Sequence, residues 1–209
     1  MKWIKALLWI SVIAVCAVLV YNEFNPKETR LASAVEKGDI KAVERMLKKG
    51  ADPDAYEGRS LTPLNIALMN GDIDMVKLLL KYGADPNAFG ELSEAEMAPL
   101  TLAVVYSERP ADVLRLLIDA GADPAKDFYA LHSAIEKGDL DLDAVKLLVS
   151  GGGDVNQGLQ TAAGTNQVEI VKYLLEAGAD PNQGVMLAKI MHNDEILRLL
   201  IEAGAKVTE

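Results

Sequence analysis

The residues able to do chemistry are few, and their spacing does not suit it. His132 and His192 are the two histidines of the chain, and neither has carboxylates or cysteines placed around it as in a zinc signature. Gly151-Gly152-Gly153 follows a helical stretch instead of opening one. It therefore cannot turn helix N-terminal amides towards a phosphate, and it reads as a flexible helix C-cap. Asp139, Asp141 and Asp143 share a turn but lack the spacing and the terminal bidentate glutamate of a calcium loop. No nucleophile, base and orienting group can be assembled from these residues, so the expectation is a protein without catalysis, cofactor, metal or small-molecule substrate.

The elements that would hold such residues repeat along the chain. Gly-Ala-Asp-Pro recurs at Gly50, Gly83, Gly121 and Gly178, with weaker copies at 152–156 and 204–206, each closing an amphipathic helical stretch. The clearest unit runs from Thr62 to Asn87. Thr62 before Pro63 marks a helix start, because a hydroxyl can cap the orphan donors and a first-turn proline lacks an N–H that would go unbonded anyway. Asn70-Gly71-Asp72 turns the chain back. Ile73, Val76, Leu79 and Leu80 then give a second helix one apolar stripe. Gly83 reaches the left-handed conformation at the helix end without strain, and Pro86 prevents continuation.

This unit resembles an ankyrin repeat. Laid on the other copies, the frame predicts six helix pairs, at 29–50, 62–83, 98–121, 128–152, 158–178 and 184–204. From the small residue of the first helix to the terminating glycine the interval is 16 residues for Ala34, Ala67, Ala162 and Ala188, and 18 for Ala103 and Ala134. Loops absorb such insertions at little cost. The resemblance implies an all-α ankyrin-repeat solenoid of about six helix-turn-helix repeats, in which each pair relies on its neighbours to cover its apolar face. It implies a structural His132, bonded to neighbouring backbone, and an exposed His192 in place of the turn glycine. The connectors between pairs, which form projecting hairpin fingers in such stacks, shrink from 14 and 17 residues early on to 7 in the last two. Long fingers are therefore expected only in the N-terminal half.

Residues 1–21 differ in kind. After Lys2 and Lys5, residues 6–22 carry no charge, and as a helix they would extend about 25 Å, slightly short of the hydrocarbon thickness. Snorkelling of Lys5 and interfacial Trp3, Trp9 and Tyr21 make a crossing feasible. The expected organisation is a transmembrane anchor at 1–21, a linker at 22–28 and the repeat domain at 29–209. A signal peptide cleaved after Ala17 is the alternative. Lipidation of Cys16 fits poorly, because Val15 stands where a small residue is wanted, and a merely buried helix is the remaining option. Under anchor and signal alike, the two lysines leave the N-terminus in the cytoplasm and the repeats outside it, in the periplasm if the source is bacterial. Cys16 is the one cysteine, so the repeats have neither a disulfide nor a free thiol.

Charge narrows the partners. The chain has 21 basic and 31 acidic residues, and setting aside Lys2 and Lys5 leaves 19 against 31, a net charge near −12. Such a domain avoids phosphate backbones and anionic headgroups, so no nucleic acid is expected. A column of cations at Lys77, Arg115, Lys146, Lys172 and Arg198 reads as a solvated face, with Asp119, Glu176 and Glu202 four residues further along the same helices.

What remains is a protein-binding surface on the side that is concave in ankyrin-like stacks. Tyr56, Phe89, Leu92, Met97 and Phe128 lie at finger positions, with Tyr129 beside them, and Met69 and Tyr106 lie at first-helix ends. Aromatic and methionine side chains of this kind suit an interface core, with Glu57, Arg59, Glu91, Glu94 and Glu96 as a charged rim. The best single patch is 54–61 and 88–98 with Met69 and Tyr106. The expectation is a membrane-tethered adaptor displayed outside the cytoplasm that holds another protein. A secreted soluble inhibitor, immunity or protective protein for a periplasmic enzyme is the alternative.

Overall fold

The computed structural model describes residues 28–55, 61–92, 95–138 and 141–206. Twelve α-helices run through them in antiparallel pairs: α1 (Glu28–Glu36) with α2 (Ile40–Lys48), α3 (Pro63–Met69) with α4 (Ile73–Lys81), and α5 (Pro99–Tyr106) with α6 (Pro110–Asp119). The second half continues with α7 (Phe128–Glu136) and α8 (Leu142–Ser150), α9 (Val155–Gly164) and α10 (Val168–Glu176), then α11 (Asn182–Ile190) and α12 (Asp194–Glu202). Between α4 and α5 stands a two-stranded antiparallel hairpin, β1 (Gly90–Leu92) and β2 (Ala95–Met97), with Gly90 opposite Met97 and Leu92 opposite Ala95. The chain is thus an all-α stack carrying a strand pair on a finger. Residues 1–21 and Tyr56 lie outside the described residues. Among the described ones no helix is long and apolar enough to cross a membrane.

The helix ends follow their local chemistry. The Thr62 hydroxyl accepts the Asn65 N–H at 3.2 Å ahead of Pro63. Asp39, Asp72, Asp141 and Asn193 cap α2, α4, α8 and α12 in the same way, each accepting a backbone N–H three residues on. The closing glycines, from Gly50 to Gly204, have φ between +81° and +103°, and each donates its N–H back into the last helical turn. His192 and Asn166 take the turn-glycine position with φ of 53° and 63°, in the left-handed region that few side chains enter. The α9 helix begins at Val155 because the Asp154 carboxylate accepts the Asn156 and Gln157 N–H groups.

Two layers result. The first helices stack in series from α1 through α3, α5, α7 and α9 to α11, and the second helices pack beside them. Leu64, Leu100, Leu131 and Leu159, at one frame position of successive first helices, are buried between pairs, as are Leu79, Leu117, Leu148 and Leu174 of the second helices. Each such leucine contributes about 1.5–3 kcal/mol relative to exposure. α5 has no polar stripe, and its residues from Pro99 to Val104 are buried among α3, α6 and α7, while Val105 and Tyr106 are exposed. Close approach has its own requirement: a Cβ on Gly151 would lie 2.4 Å from Pro124 Cγ. The Gly151-Gly152-Gly153 run is therefore a packed C-cap held against the preceding pair, which corrects the reading of it as flexible.

Candidate protein-binding surface

One frame position shows how the fingers shape the first-helix face. It is filled by Asn65, Thr101, His132, Gln160 and Met186 in successive pairs. Asn65 is fully buried and Thr101 is 5% exposed, His132 is half-buried, and Gln160 and Met186 are exposed, Met186 at 71%. As connectors shorten, the same position passes from interior to surface. His132 bonds side chains, Thr161 Oγ1 of the next pair at 2.9 Å and Glu136 one turn on in α7 at 3.3 Å, instead of the neighbouring backbone expected for it.

The site residues inferred from sequence fall into separate groups. Phe89 leads into β1, is 41% exposed, and borders a shallow notch shared with Ala98, Pro99, Lys126 and Asp127. Phe128, 61% exposed at the start of α7, packs edge-on against exposed Tyr129 with ring centroids 5.4 Å apart. Leu92 and Met97 stand on the two hairpin strands. Tyr106 lies at the far end of α5, about 10 Å along the helix from its start. Met69 holds the corresponding end of α3 and is partly buried against the core.

Sequence reasoning passed over Val105, Met186, Ile190 and Met191, all exposed. The signal was present. Val105 and Tyr106 stand two and three residues after Ala103, and Ile190 and Met191 stand two and three after Ala188, so counting from the small residue of each first helix finds both pairs.

Hydrogen bonds between pairs hold this face in register. The Asp127 carboxylate, 7% exposed, caps α7 through the Tyr129 and Ala130 N–H groups and accepts both the N–H and the hydroxyl of Thr101 at 2.8 and 2.7 Å. On the loop edge, one Asp or Asn per pair accepts a backbone N–H from the next: Asp54 from Asp85, Asn87 from Asp123, Asn156 from Asp180 and Asn182 from Lys206. Ala125 occupies this position between the third and fourth pairs, and its methyl group offers no acceptor to continue the ladder. Partial burial pushes the Asp54 carboxyl above the usual carboxylate range, against the bond from Asp85 and with Asp52 and Asp85 adding to the shift. Asp180 is held below that range by the Asn182 N–H and side chain.

The cation column differs from its expected pairing. Lys172 bonds Glu169 at 2.8 Å, one turn back, instead of Glu176 four residues on; Lys77, with Lys81 four residues on, approaches Asp74 at 3.9 Å, and Lys146 lies over the Tyr173 ring. Placing the acid at the N-terminal end of each helix suits the helix dipole. Among the described residues no group of His, Cys, Asp and Glu is arranged to hold a metal ion.

These features define a class, the repeat stack that offers an extended surface. The family model "Ankyrin repeats (3 copies)" matches residues 13–90, 31–128, 100–185 and 131–209, and the chain belongs to the ankyrin repeat family. Among solved structures it is similar to the ankyrin repeat domain of Bcl-3, described as a unique member of the IkappaB protein family. Identity there is 26%, TM-score 0.68, and the match covers 84% of this chain and 86% of that one. The human ASB11 ankyrin repeat domain shares the fold at 22% identity and TM-score 0.67, over 86% of this chain and 85% of that one. Comparison with curated proteins gives no match. Ankyrin repeats are typically non-catalytic and bind other proteins.

Proposed function

We propose that this chain is a membrane-tethered adaptor. Residues 6–21 cross the bilayer with the N-terminus in the cytoplasm, and the repeats stand outside it. Their finger and first-helix face holds another protein, one whose surface is basic or of mixed charge. The reading is supported by the uncharged N-terminal run behind Lys2 and Lys5 and by the acidity of the repeats. The observation that carries it is the exposure of large apolar side chains on this face, Phe89, Val105, Tyr106, Phe128 and Tyr129 with Met186, Ile190 and Met191.

Crosslinking in the native host tests the binding face. Replacing Phe89 and Tyr106 together by alanine, with a companion Phe128→Ala variant, should cut recovery of the crosslinked partner while helical circular dichroism persists. Undiminished recovery from all variants would refute the placement. The tether predicts that alkaline extraction leaves the protein in the membrane pellet, and a soluble product lacking residues 1–17 would overturn it.

A further inference from the structure

The two helix pairs with lengthened turns, the third and the fourth, are neighbours, and their turns meet. Ser107, Glu108 and Arg109 join α5 to α6, and the chain passes Lys137 and Gly138 before reaching Asp141 ahead of α8. The Lys137 ammonium donates to the Val104 and Ser107 carbonyls at 2.9 and 2.8 Å, closing the end of α5. Asp141 accepts the Ala144 N–H at 3.0 Å and reaches across to the Ala111 N–H at 3.3 Å. Between these clasps lies a cleft of about 250 Å³.

The preceding seam has the same place in the fold but hardly any space. There Leu68, Ala103 and Val113 hold the frame positions of Val104, Ala134 and Ala144, and the opening is about 10 Å³. A standard-length second-pair turn and the larger Leu68 and Val113 side chains fill it. The cleft thus goes with the longer third-pair turn that supplies Glu108 and Pro110 to its wall and with the smaller Val104 and Ala144 side chains.

Its chemistry is one-sided. Val104, Pro110, Ala134 and Ala144 form an apolar trough, and Glu108, Lys137 and Asp141 form the rim. Asp141 already has a backbone N–H on each oxygen, and Lys137 directs its ammonium to two carbonyls. The Arg109 guanidinium is taken by Asp112 at 2.5 Å. Glu108 is exposed and has no hydrogen-bond or ion-pair partner among the described residues. The rim therefore carries two carboxylates against one engaged ammonium. We propose that this cleft binds a small organic cation, with a body about one aromatic ring in size in the trough and an ammonium paired with Glu108. A pocket a little below the usual drug-sized range of about 300–1,000 Å³ selects a fragment-sized ligand, for which affinity in the range of about 1–10 mM is expected.

The test uses isotope-labelled full-length chain in mild detergent, titrated with phenethylamine and with 3-phenylpropionate, an anion of like shape, while amide shifts are recorded. Phenethylamine should saturate, with shifts centred on Val104, Ala134 and Ala144, and the anion should shift none of them. Glu108→Gln, in an exposed turn, should weaken the amine at least about 3-fold, and Glu202→Gln, remote from the cleft, should leave it unchanged. The proposal is overturned by any of three results: no saturation with the amine, equal binding of the anion, or shifts that centre on Phe128 and Tyr129. An unchanged affinity in Glu108→Gln overturns it too.

Discussion

Asp127→Asn should destabilise the stack far more than its single-atom change suggests. The native carboxylate has four neutral donors: Oδ1 accepts the Thr101 hydroxyl and the Tyr129 and Ala130 N–H groups, and Oδ2 accepts the Thr101 N–H. An amide supplies one acceptor oxygen. If that oxygen keeps the three donors, the new NH2 faces the Thr101 N–H, donor against donor, in a residue 5% exposed. If it turns over, α7 loses its cap and the hydroxyl its acceptor. Either way a charge-assisted bond disappears and a buried donor is orphaned, which amounts to about 2–4 kcal/mol. For a domain of this size the melting temperature should fall by about 5–15 °C. Thr101→Val removes the hydroxyl bond alone and should cost about 1 kcal/mol. Urea unfolding of the full-length protein, followed by helical circular dichroism, measures both. In the double variant the valine should add less than it does alone, because the two groups share the bond. A melting temperature for Asp127→Asn within 2 °C of the parent's, a limit of roughly 0.5–1 kcal/mol, would refute this account of the seam, as would a loss no greater than that of Thr101→Val. Since Asp127 sets the start of α7, the variant should also weaken capture through Phe128 and Tyr129.

Two further substitutions probe the stack. Asp54→Asn keeps the oxygen that accepts the Asp85 N–H, and asparagine already serves at positions 87, 156 and 182. Because the folded carboxyl titrates above its usual value, its favourable contribution is complete only at pH below the unfolded value, near 3.8, and is lost as pH rises through the folded one. The asparagine variant should therefore gain about 0.5 kcal/mol, or about 1–2 °C, at pH 7, and thermal melts should show the gain vanishing below about pH 4. A gain that persists in acid would assign it elsewhere. Gly151→Ala has an ordinary φ of −83°, so the 2.4 Å approach of its Cβ to Pro124 Cγ decides the sign, and a loss of about 1–3 kcal/mol is expected. Adding Pro124→Ala should restore part of that loss in denaturant titration; no recovery would point to another cause.

The repeats were legible because their signals are local. Thr62 before Pro63, the apolar stripe from Ile73 to Leu80 and the glycine at 83 each act within one or two turns of helix, and the helices lie where those residues put them. Contacts between pairs were less legible. Thr101 and Asp127 are 26 residues apart, and no periodicity links them, since their meeting depends on how far α7 slides along α5. His132 was recognised as structural, but its partner Thr161 belongs to the next pair. The ion pairs of Lys77 and Lys172 turned on rotamers that a helical wheel does not fix. The two longer turns were visible as a count, but the space beside them depends also on Val104 and Ala144 being smaller than their counterparts Leu68 and Val113 in the preceding seam.

The column running from Asn65 to Met186 has a consequence for how variation in this chain should be interpreted. At its early members a side chain is masonry, and exchange should be tolerated only for something of the same volume and polarity. At its late members the identical register is a doorway, free to diversify and answerable to whatever meets it. A profile that averages the repeats would blend these two regimes and report moderate constraint everywhere, which would describe none of the positions.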